Sequence, residues 1–225
     1  MNGIDPEQLQ IDVAKAGMVS ALLIRPAEAR TCFVFAHGAG AGMAHPFMAT
    51  VAQGLGERGV ASLRYQFPYM EKGSKRPDAP AVAHAAVRAA VAVAAIRCAG
   101  MRLIAGGKSF GGRMTSQAQA ISPLPGVDGL AFFGFPLHPA GKPSRDRAKH
   151  LSDVEVPMLF LQGTRDTLAE MALLEPVIQG LEPLASLHRV EGADHSFHVP
   201  ARSGRNDREV MNEILDAFAA WVAAI

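Results

Sequence analysis

Hydrophobic residues along this chain gather in short runs of four to six, separated by longer segments with a helical period. Runs of this length are typical of buried strands, whereas a buried helix needs about 10 residues or more. The runs cover residues 31–36, 60–64, 102–106, 129–133, 158–161 and 187–190. In the other segments, apolar residues recur every four positions from Phe47 to Leu55 and from Val210 to Val222. This alternation predicts an α/β fold with a doubly wound, mostly parallel sheet.

The start of the chain has a different period. Leu9, Ile11 and Val13 alternate with polar residues, and a second apolar set follows from Val19 to Ile24. Period-two alternation on both sides of a Gly-containing turn predicts an antiparallel hairpin. With 225 residues, 49% of them hydrophobic, the chain is large enough for one sizeable core. We therefore expect residues 1–225 to form a single domain in which antiparallel N-terminal strands precede the parallel ones.

Charge and composition narrow the range of partners. The chain has 22 Lys and Arg against 21 Asp and Glu, a net charge of +1, so nucleic acid is not expected as a partner. Two cysteines are too few for a disulfide framework. The first ten residues lack the apolar centre of a signal peptide, and the Ala-rich residues 81–96 contain His84 and Arg88, which argues against a membrane span. We expect a cytoplasmic protein that binds neither nucleic acid nor membrane.

A G-x-S-x-G pentapeptide, Gly107 to Gly111, follows the apolar run 102–106 directly. A serine at a tight turn between a strand and a helix is typical of a nucleophile elbow, and its flanking glycines avoid clashes with nearby chain. Gly-Lys-Ser, the first three residues of this pentapeptide, is also the end of a phosphate-binding loop motif. That motif needs a glycine at position 102, where this chain has Arg102. Ser109 is therefore the candidate nucleophile.

A serine hydroxyl needs a base to take its proton and a third group to orient that base. His195 lies on a short Gly-containing loop after the last predicted strand, and Asp166 follows the strand before it. The chain order Ser109, Asp166, His195 is the order used by hydrolases with this elbow. His198 is the nearest alternative as the base, and His195-x-x-His198 with Asp194 also suggests a metal pair, but the sequence shows neither a third ligand elsewhere nor an H-E-x-x-H helix. We expect no metal and no organic cofactor.

The loop after the first parallel strand, residues 37–42, is rich in glycine. Backbone N–H groups there are well placed for an oxyanion hole, with Ala39 or Gly40 as one donor and Phe110 as the other. The alternative is a dinucleotide-binding G-x-G-x-x-G motif. That motif fails because Met43 occupies the position of its last glycine and no acidic residue follows about twenty positions later.

Taken together and in this order, these motifs resemble the α/β-hydrolase superfamily over nearly the whole chain. The resemblance is to its dienelactone-hydrolase-like branch, and more narrowly to a small family that includes a testis-expressed protein and a subunit of a histone-acetyltransferase complex. The motifs that carry it are His37-Gly38, residues 40–48, residues 106–114, residues 135–143, Gly163-x-x-Asp166 and Asp194-His195.

The resemblance implies serine hydrolysis of an ester or related acyl bond in a small-molecule substrate. Dienelactone hydrolases proper use a cysteine nucleophile, so lactone chemistry does not carry over to Ser109. Two alternatives stay open: a thioesterase or peptidase, and a binding or scaffold protein with a hydrolase fold and little activity.

The surroundings of the expected site suggest further substrate contacts. His138, Arg64 and Arg113 are candidates for substrate binding, although both arginines also suit a structural role as anchors for loops. Residues 135–150 carry four basic side chains against one acidic one, which indicates either an anionic substrate group or a solvated basic loop. No segment between the sixth and seventh core strands is long enough for a cap domain, so we expect an open site.

Overall fold

The computed structural model describes residues 4–225, which form one eight-stranded sheet. The strands are β1 (Glu7–Val13), β2 (Gly17–Ile24), β3 (Thr31–Ala36), β4 (Val60–Tyr65), β5 (Arg102–Lys108), β6 (Val127–Phe133), β7 (Met158–Gly163) and β8 (Ala185–Val190). Their spatial order is β1-β2-β4-β3-β5-β6-β7-β8. β2 pairs antiparallel with β1 and β4, and every other pairing is parallel. Both the hairpin and the doubly wound α/β sheet are confirmed.

Helices cover both faces of the sheet. They are α1 (Pro46–Glu57), α2 (Pro68–Glu71), α3 (Pro80–Arg97), α4 (Phe110–Ile121), α5 (Met171–Gln179) and α6 (Asp207–Ala224), with two 3-10 helices at Asp146–Asp153 and Ala201–Ser203. On one face, α1 and α6 bury their apolar sides against phenylalanines of β3 and β6. On the other face, α3, α4 and α5 pack over a second core. The sheet therefore lies between two hydrophobic layers, as the continuous apolar runs of its parallel strands require.

Two strands begin earlier than the apolar runs predict. β6 starts at Val127 and β8 at Ala185, in each case two residues before the run. Asp128 and Ser186 interrupt the hydrophobic pattern there. The Asp128 carboxylate accepts a hydrogen bond from the Leu103 N–H at 3.1 Å. A polar residue with a partner of this kind is compatible with a strand even though it breaks the pattern.

The Ala-rich segment forms α3, the one helix of residues 4–225 that is long and apolar enough to cross a membrane. Its alanine face, from Ala83 to Ala94, is buried in the core. On the opposite side, Arg88 donates a hydrogen bond to the carbonyl oxygen of Ser122, at the end of α4, at 2.6 Å. This arrangement is that of a helix packed within a protein core.

The topology brings the carboxyl ends of β3, β5, β6, β7 and β8 to one edge of the sheet. In open α/β sheets, this edge is where ligands bind. The connection from β6 to β7, residues 134–157, contains a loop and a 3-10 helix and carries no inserted domain. The edge is therefore uncovered, as expected.

We predict that Phe218→Ala lowers the free energy of unfolding by about 3–5 kcal/mol. Phe218 is fully buried on α6, with its ring centroid 4.9 Å from that of Phe33 and 6.1 Å from that of Phe133. Urea denaturation measures the change. Ile96→Ala is the control, because Ile96 is 76% exposed and its truncation should cost less than about 0.5 kcal/mol. Equal losses in the two variants would contradict this account of the core.

Candidate active site

Ser109 lies at the turn where β5 ends and α4 begins. Its backbone has φ 50° and ψ −112°, a left-handed conformation that is strained for any residue with a side chain. The Ser109 N–H donates to the carbonyl oxygen of Phe133 at the end of β6, 3.2 Å away, which helps to hold the turn. Strained residues of this kind persist only where the surrounding structure fixes them, and they cluster at active sites.

The glycines of the pentapeptide are required by the backbone of β3. A Cβ atom on Gly107 would lie 2.5 Å from the carbonyl oxygen of Ala36, and one on Gly111 would lie 2.5 Å from the same oxygen. Both distances are far below van der Waals contact. The end of β3 therefore crosses directly against the elbow, and only glycine fits on either side of Ser109.

Ser109, His195 and Asp166 form a continuous chain of hydrogen bonds. The Ser109 Oγ lies 2.9 Å from His195 Nε2, and His195 Nδ1 lies 2.6 Å from Asp166 Oδ2. Asp166 is 2% exposed and also accepts the Leu168 N–H at 2.8 Å. With Nδ1 facing a carboxylate, the imidazole presents Nε2 to the serine hydroxyl as a proton acceptor.

Asp194 serves the loop and does not orient the histidine. Its Oδ1 accepts the N–H groups of Ser196 and His198 at 2.8 and 3.0 Å, the pattern of a turn-forming aspartate. The exposed His198 pairs with Asp207, also outside the hydrogen-bonded chain, at 2.8 Å. Over residues 4–225, no group of three or more His, Cys, Asp and Glu side chains is arranged to hold a metal ion.

Ala39 and Phe110, two of the predicted oxyanion donors, line a cavity that also contains Ser109. The Gly40 N–H is engaged, because it donates to the Tyr69 hydroxyl at 3.1 Å. Within the described part of the chain, the N–H groups of Ala39 and Phe110 have no acceptor. Of the predicted oxyanion donors, the structure therefore favours Ala39 with Phe110 over Gly40.

His37 fixes the glycine-rich loop, a role that the sequence did not reveal. Its Nδ1 donates to the Gly38 carbonyl oxygen at 2.7 Å, and its Nε2 accepts the Phe67 N–H at 3.1 Å. The side chain is fully buried, and burial lowers its pKa to about 4. The imidazole is thus neutral at pH 7 and ties the loop after β3 to the loop after β4.

Gln162 is a second residue that sequence reasoning missed. It stands on β7, fully buried, where its Nε2 donates to Asp166 Oδ2 at 2.6 Å and its Oε1 accepts the Phe135 N–H at 2.8 Å. The sequence does contain one signal for this role, because Gln162 is a polar residue in the otherwise apolar strand β7. Gln162 therefore fixes the carboxylate from the side opposite Leu168.

Lys108, the residue before the serine, anchors the loop that carries His195. Its Nζ donates to the backbone oxygen of His195 and lies 5.6 and 5.2 Å from the ring centroids of Phe47 and Phe197. Burial lowers the pKa of this ammonium group to about 8. These contacts explain why a charged residue is accommodated at the second position of the pentapeptide.

Two cavities flank Ser109. The first, about 450 Å³, has a mostly apolar wall that includes Phe47, Met48 and Leu168, and it also contains His195. The second, about 420 Å³, lies on the other side against α4. Both include Ala39 and Leu168, so a substrate bound across the serine has room on either side of its reacting bond.

Of the three predicted substrate contacts, the structure places only Arg113 beside the serine, in the second cavity. Arg64 is 3% exposed and donates to the Met43 carbonyl oxygen at 3.3 Å, which is the alternative role of a loop anchor. His138 is fully buried, 2.5 Å from Glu170 Oε2. Neither Arg64 nor His138 lines the cavities that flank Ser109.

Comparisons with known proteins agree with this architecture. Residues 29–223 match the family model described as an alpha/beta hydrolase domain. A lid-less α/β serine hydrolase from Xanthomonas campestris has a TM-score of 0.75 and 19% identity, with 98% of this chain and 97% of that chain covered. A dienelactone hydrolase from Anabaena variabilis has a TM-score of 0.77 and 19% identity, with 98% of each chain covered.

A third neighbour, an α/β serine hydrolase homologue from Coxiella burnetii, has a TM-score of 0.76 and 17% identity, with 98% of this chain and 99% of that chain covered. At these identities, the neighbours establish a shared fold. The resemblance to the α/β-hydrolase superfamily is confirmed, as is a fold without a cap domain. The family match supports hydrolase activity.

We predict that His37 makes the protein less stable in acid. The unfolded histidine binds a proton near pH 6.5 and the folded one only near pH 4, so the unfolded state binds more protons between these values. Lowering the pH from 7 to 5 should therefore reduce the free energy of unfolding by about 2 kcal/mol more in the wild type than in His37→Asn. Urea denaturation at both pH values measures this difference. His45→Asn, at an exposed position nearby, should retain the wild-type pH dependence, and a wild-type response in His37→Asn would contradict the prediction.

Proposed function

We propose that this chain, which belongs to the alpha/beta hydrolase domain family, is a serine hydrolase that cleaves a carboxylic ester or a related acyl bond. The observation that carries the proposal is the hydrogen-bonded chain from Ser109 through His195 to Asp166, which starts at a strained turn between β5 and α4. Nucleophile, base and orienting acid stand in the geometry that acyl transfer needs.

In the proposed reaction, the Ser109 Oγ attacks the acyl carbonyl while His195 Nε2 takes the hydroxyl proton. The Asp166 carboxylate stabilises the imidazolium that forms, and the N–H groups of Ala39 and Phe110 stabilise the oxyanion. His195 then gives the proton to the departing alcohol, which leaves an acyl group on Ser109. Water, deprotonated by the same histidine, attacks this acyl-enzyme, and the bond to Ser109 Oγ breaks as His195 returns the proton to that oxygen and the acid is released.

Residues of the chain fill every role in this scheme, so the reaction needs no metal or organic cofactor. The open edge of the sheet and the two cavities beside Ser109 suit a small substrate with a group on each side of its ester bond. The Asp166 carboxylate is held by Gln162 and Leu168 before any substrate binds. Such preorganisation favours catalysis, because no reorganisation is needed during the reaction.

We predict that a fluorophosphonate probe labels the wild-type protein and fails to label Ser109→Ala. The probe reacts with serine hydroxyls that a neighbouring base activates, and Ser109 is the serine bonded to His195. In-gel fluorescence measures labelling. The control is Ser122→Ala, at an exposed serine after the other end of α4, which should label like the wild type. Equal labelling of Ser109→Ala and the wild type would refute the proposal.

We further predict that Asp166→Asn lowers kcat on p-nitrophenyl butyrate by about 10⁴-fold, as expected when the orienting acid is lost. Asp194→Asn is the matched control, because asparagine also forms the turn that Asp194 makes. This variant should keep most of the wild-type kcat. Steady-state hydrolysis measures both, and a larger loss from Asp194→Asn would show that the wrong aspartate has been assigned.

A further inference from the structure

Two arginines from different elements line the cavity between Ser109 and α4. Arg113 stands in the first turn of α4, and Arg147 stands on the 3-10 helix Asp146–Asp153. Both line the 420 Å³ cavity that also includes Ser109 and Phe110. The guanidinium carbon of Arg113 lies 5.9 Å from the centroid of the Phe110 ring, so its charged group stays close to the elbow.

Neither of these charges is paired with a carboxylate of the described chain. For residues 4–225, neither Arg113 nor Arg147 has a carboxylate oxygen within 4.0 Å. The Nε of Arg113 is buried and has no hydrogen-bond partner in this part of the chain. A guanidinium group without a carboxylate partner keeps donors for an anionic ligand.

The charge of one arginine acts on the other. Burial lowers the pKa of Arg113, and the charge of Arg147 lowers it further. Burial, with a further contribution from Arg113, lowers the pKa of His150 to about 4, so this imidazole is neutral at pH 7 and adds no charge. An anion bound between two like charges relieves their repulsion.

One acidic residue, Asp78, lines the same cavity. Its Oδ2 accepts the Tyr69 N–H at 2.9 Å, so part of its hydrogen-bonding capacity is used by the backbone. Two arginines against one aspartate leave a net positive charge in the cavity wall. The first cavity differs, since the Lys108 ammonium there is bonded to the backbone of His195.

From this arrangement we infer that the second cavity is a carboxylate-binding subsite, and that the substrate is an acyl ester with a free carboxylate close to its reacting bond. The inference rests on the proposed function and names its substrate class. Ser109, Arg113 and Arg147 line the same cavity of about 420 Å³, so a substrate that reacts at the serine reaches the arginines within it. A half-ester of a dicarboxylic acid with a short carbon chain suits this arrangement, because guanidinium groups bind carboxylates with paired hydrogen bonds.

The test compares mono-p-nitrophenyl adipate with its methyl ester, in which a methyl group removes the negative charge, and follows release of p-nitrophenol after subtraction of uncatalysed hydrolysis. We expect kcat/KM of the wild type to be about 10- to 100-fold higher for the anionic ester, the range for gaining a hydrogen bond to a charged group. Arg147→Gln should reduce this preference about tenfold. Arg145→Gln is the matched control, because Arg145 is an exposed arginine two positions away that does not line the cavity. This control should keep the wild-type preference.

Hydrolysis of the neutral ester through Ser109 without preference for the anionic one would overturn this inference and leave the proposed function intact. Equal losses of preference in Arg147→Gln and Arg145→Gln would also overturn it. If the protein hydrolyses neither ester, calorimetric titration with adipate tests the subsite without catalysis. Binding to the wild type and Arg145→Gln, and about tenfold weaker binding to Arg147→Gln, would support the subsite. No binding to the wild type would overturn it.

Discussion

The close approach of β3 to the elbow after β5 is the constraint on which the rest of the site depends. The carbonyl oxygen of Ala36 occupies the space that a Cβ atom at Gly107 or Gly111 would need. This contact allows the chain to turn sharply at Ser109 in a left-handed conformation and to enter α4 at once. It also brings the loop after β3 beside the first N–H group of α4, so the proposed nucleophile and the proposed oxyanion donors depend on the same packing.

Buried polar side chains then hold the loops around this turn. His37 joins the glycine-rich loop to the loop after β4, and Gln162 holds Asp166 from within β7. Lys108 binds the backbone of the His195 loop. His37 and Gln162 are fully buried and hydrogen-bonded, which makes an alternative arrangement of these loops costly.

The charges near the site are distributed unevenly between its two sides. On the side of the first cavity, the Lys108 ammonium group donates a hydrogen bond to a backbone oxygen and lies close to two aromatic rings. On the side of α4, Arg113 and Arg147 face a cavity without a carboxylate partner in the described chain. This difference in charge is the basis of the carboxylate-binding subsite that we infer.

Sequence alone predicted eight strands along the chain and the candidate residues Ser109, Asp166 and His195. Apolar runs and helical periods depend on local spacing, so they located each strand but misplaced some ends by two residues, as at the starts of β6 and β8 and at the ends of β5 and β7, and they did not predict α2 or α5. The pentapeptide of the elbow and the order Ser109, Asp166, His195 can likewise be recognised from the sequence. Spacing does not show which polar groups meet across the sheet. Only the tertiary structure decided that His37 and Gln162 hold the loops, that Arg64 and His138 lie away from the serine, and that Arg113 lines the same cavity as Arg147. The hydrogen bonds of His37 and Gln162 to other loops join residues up to 30 positions apart, and their partners are set by packing and burial.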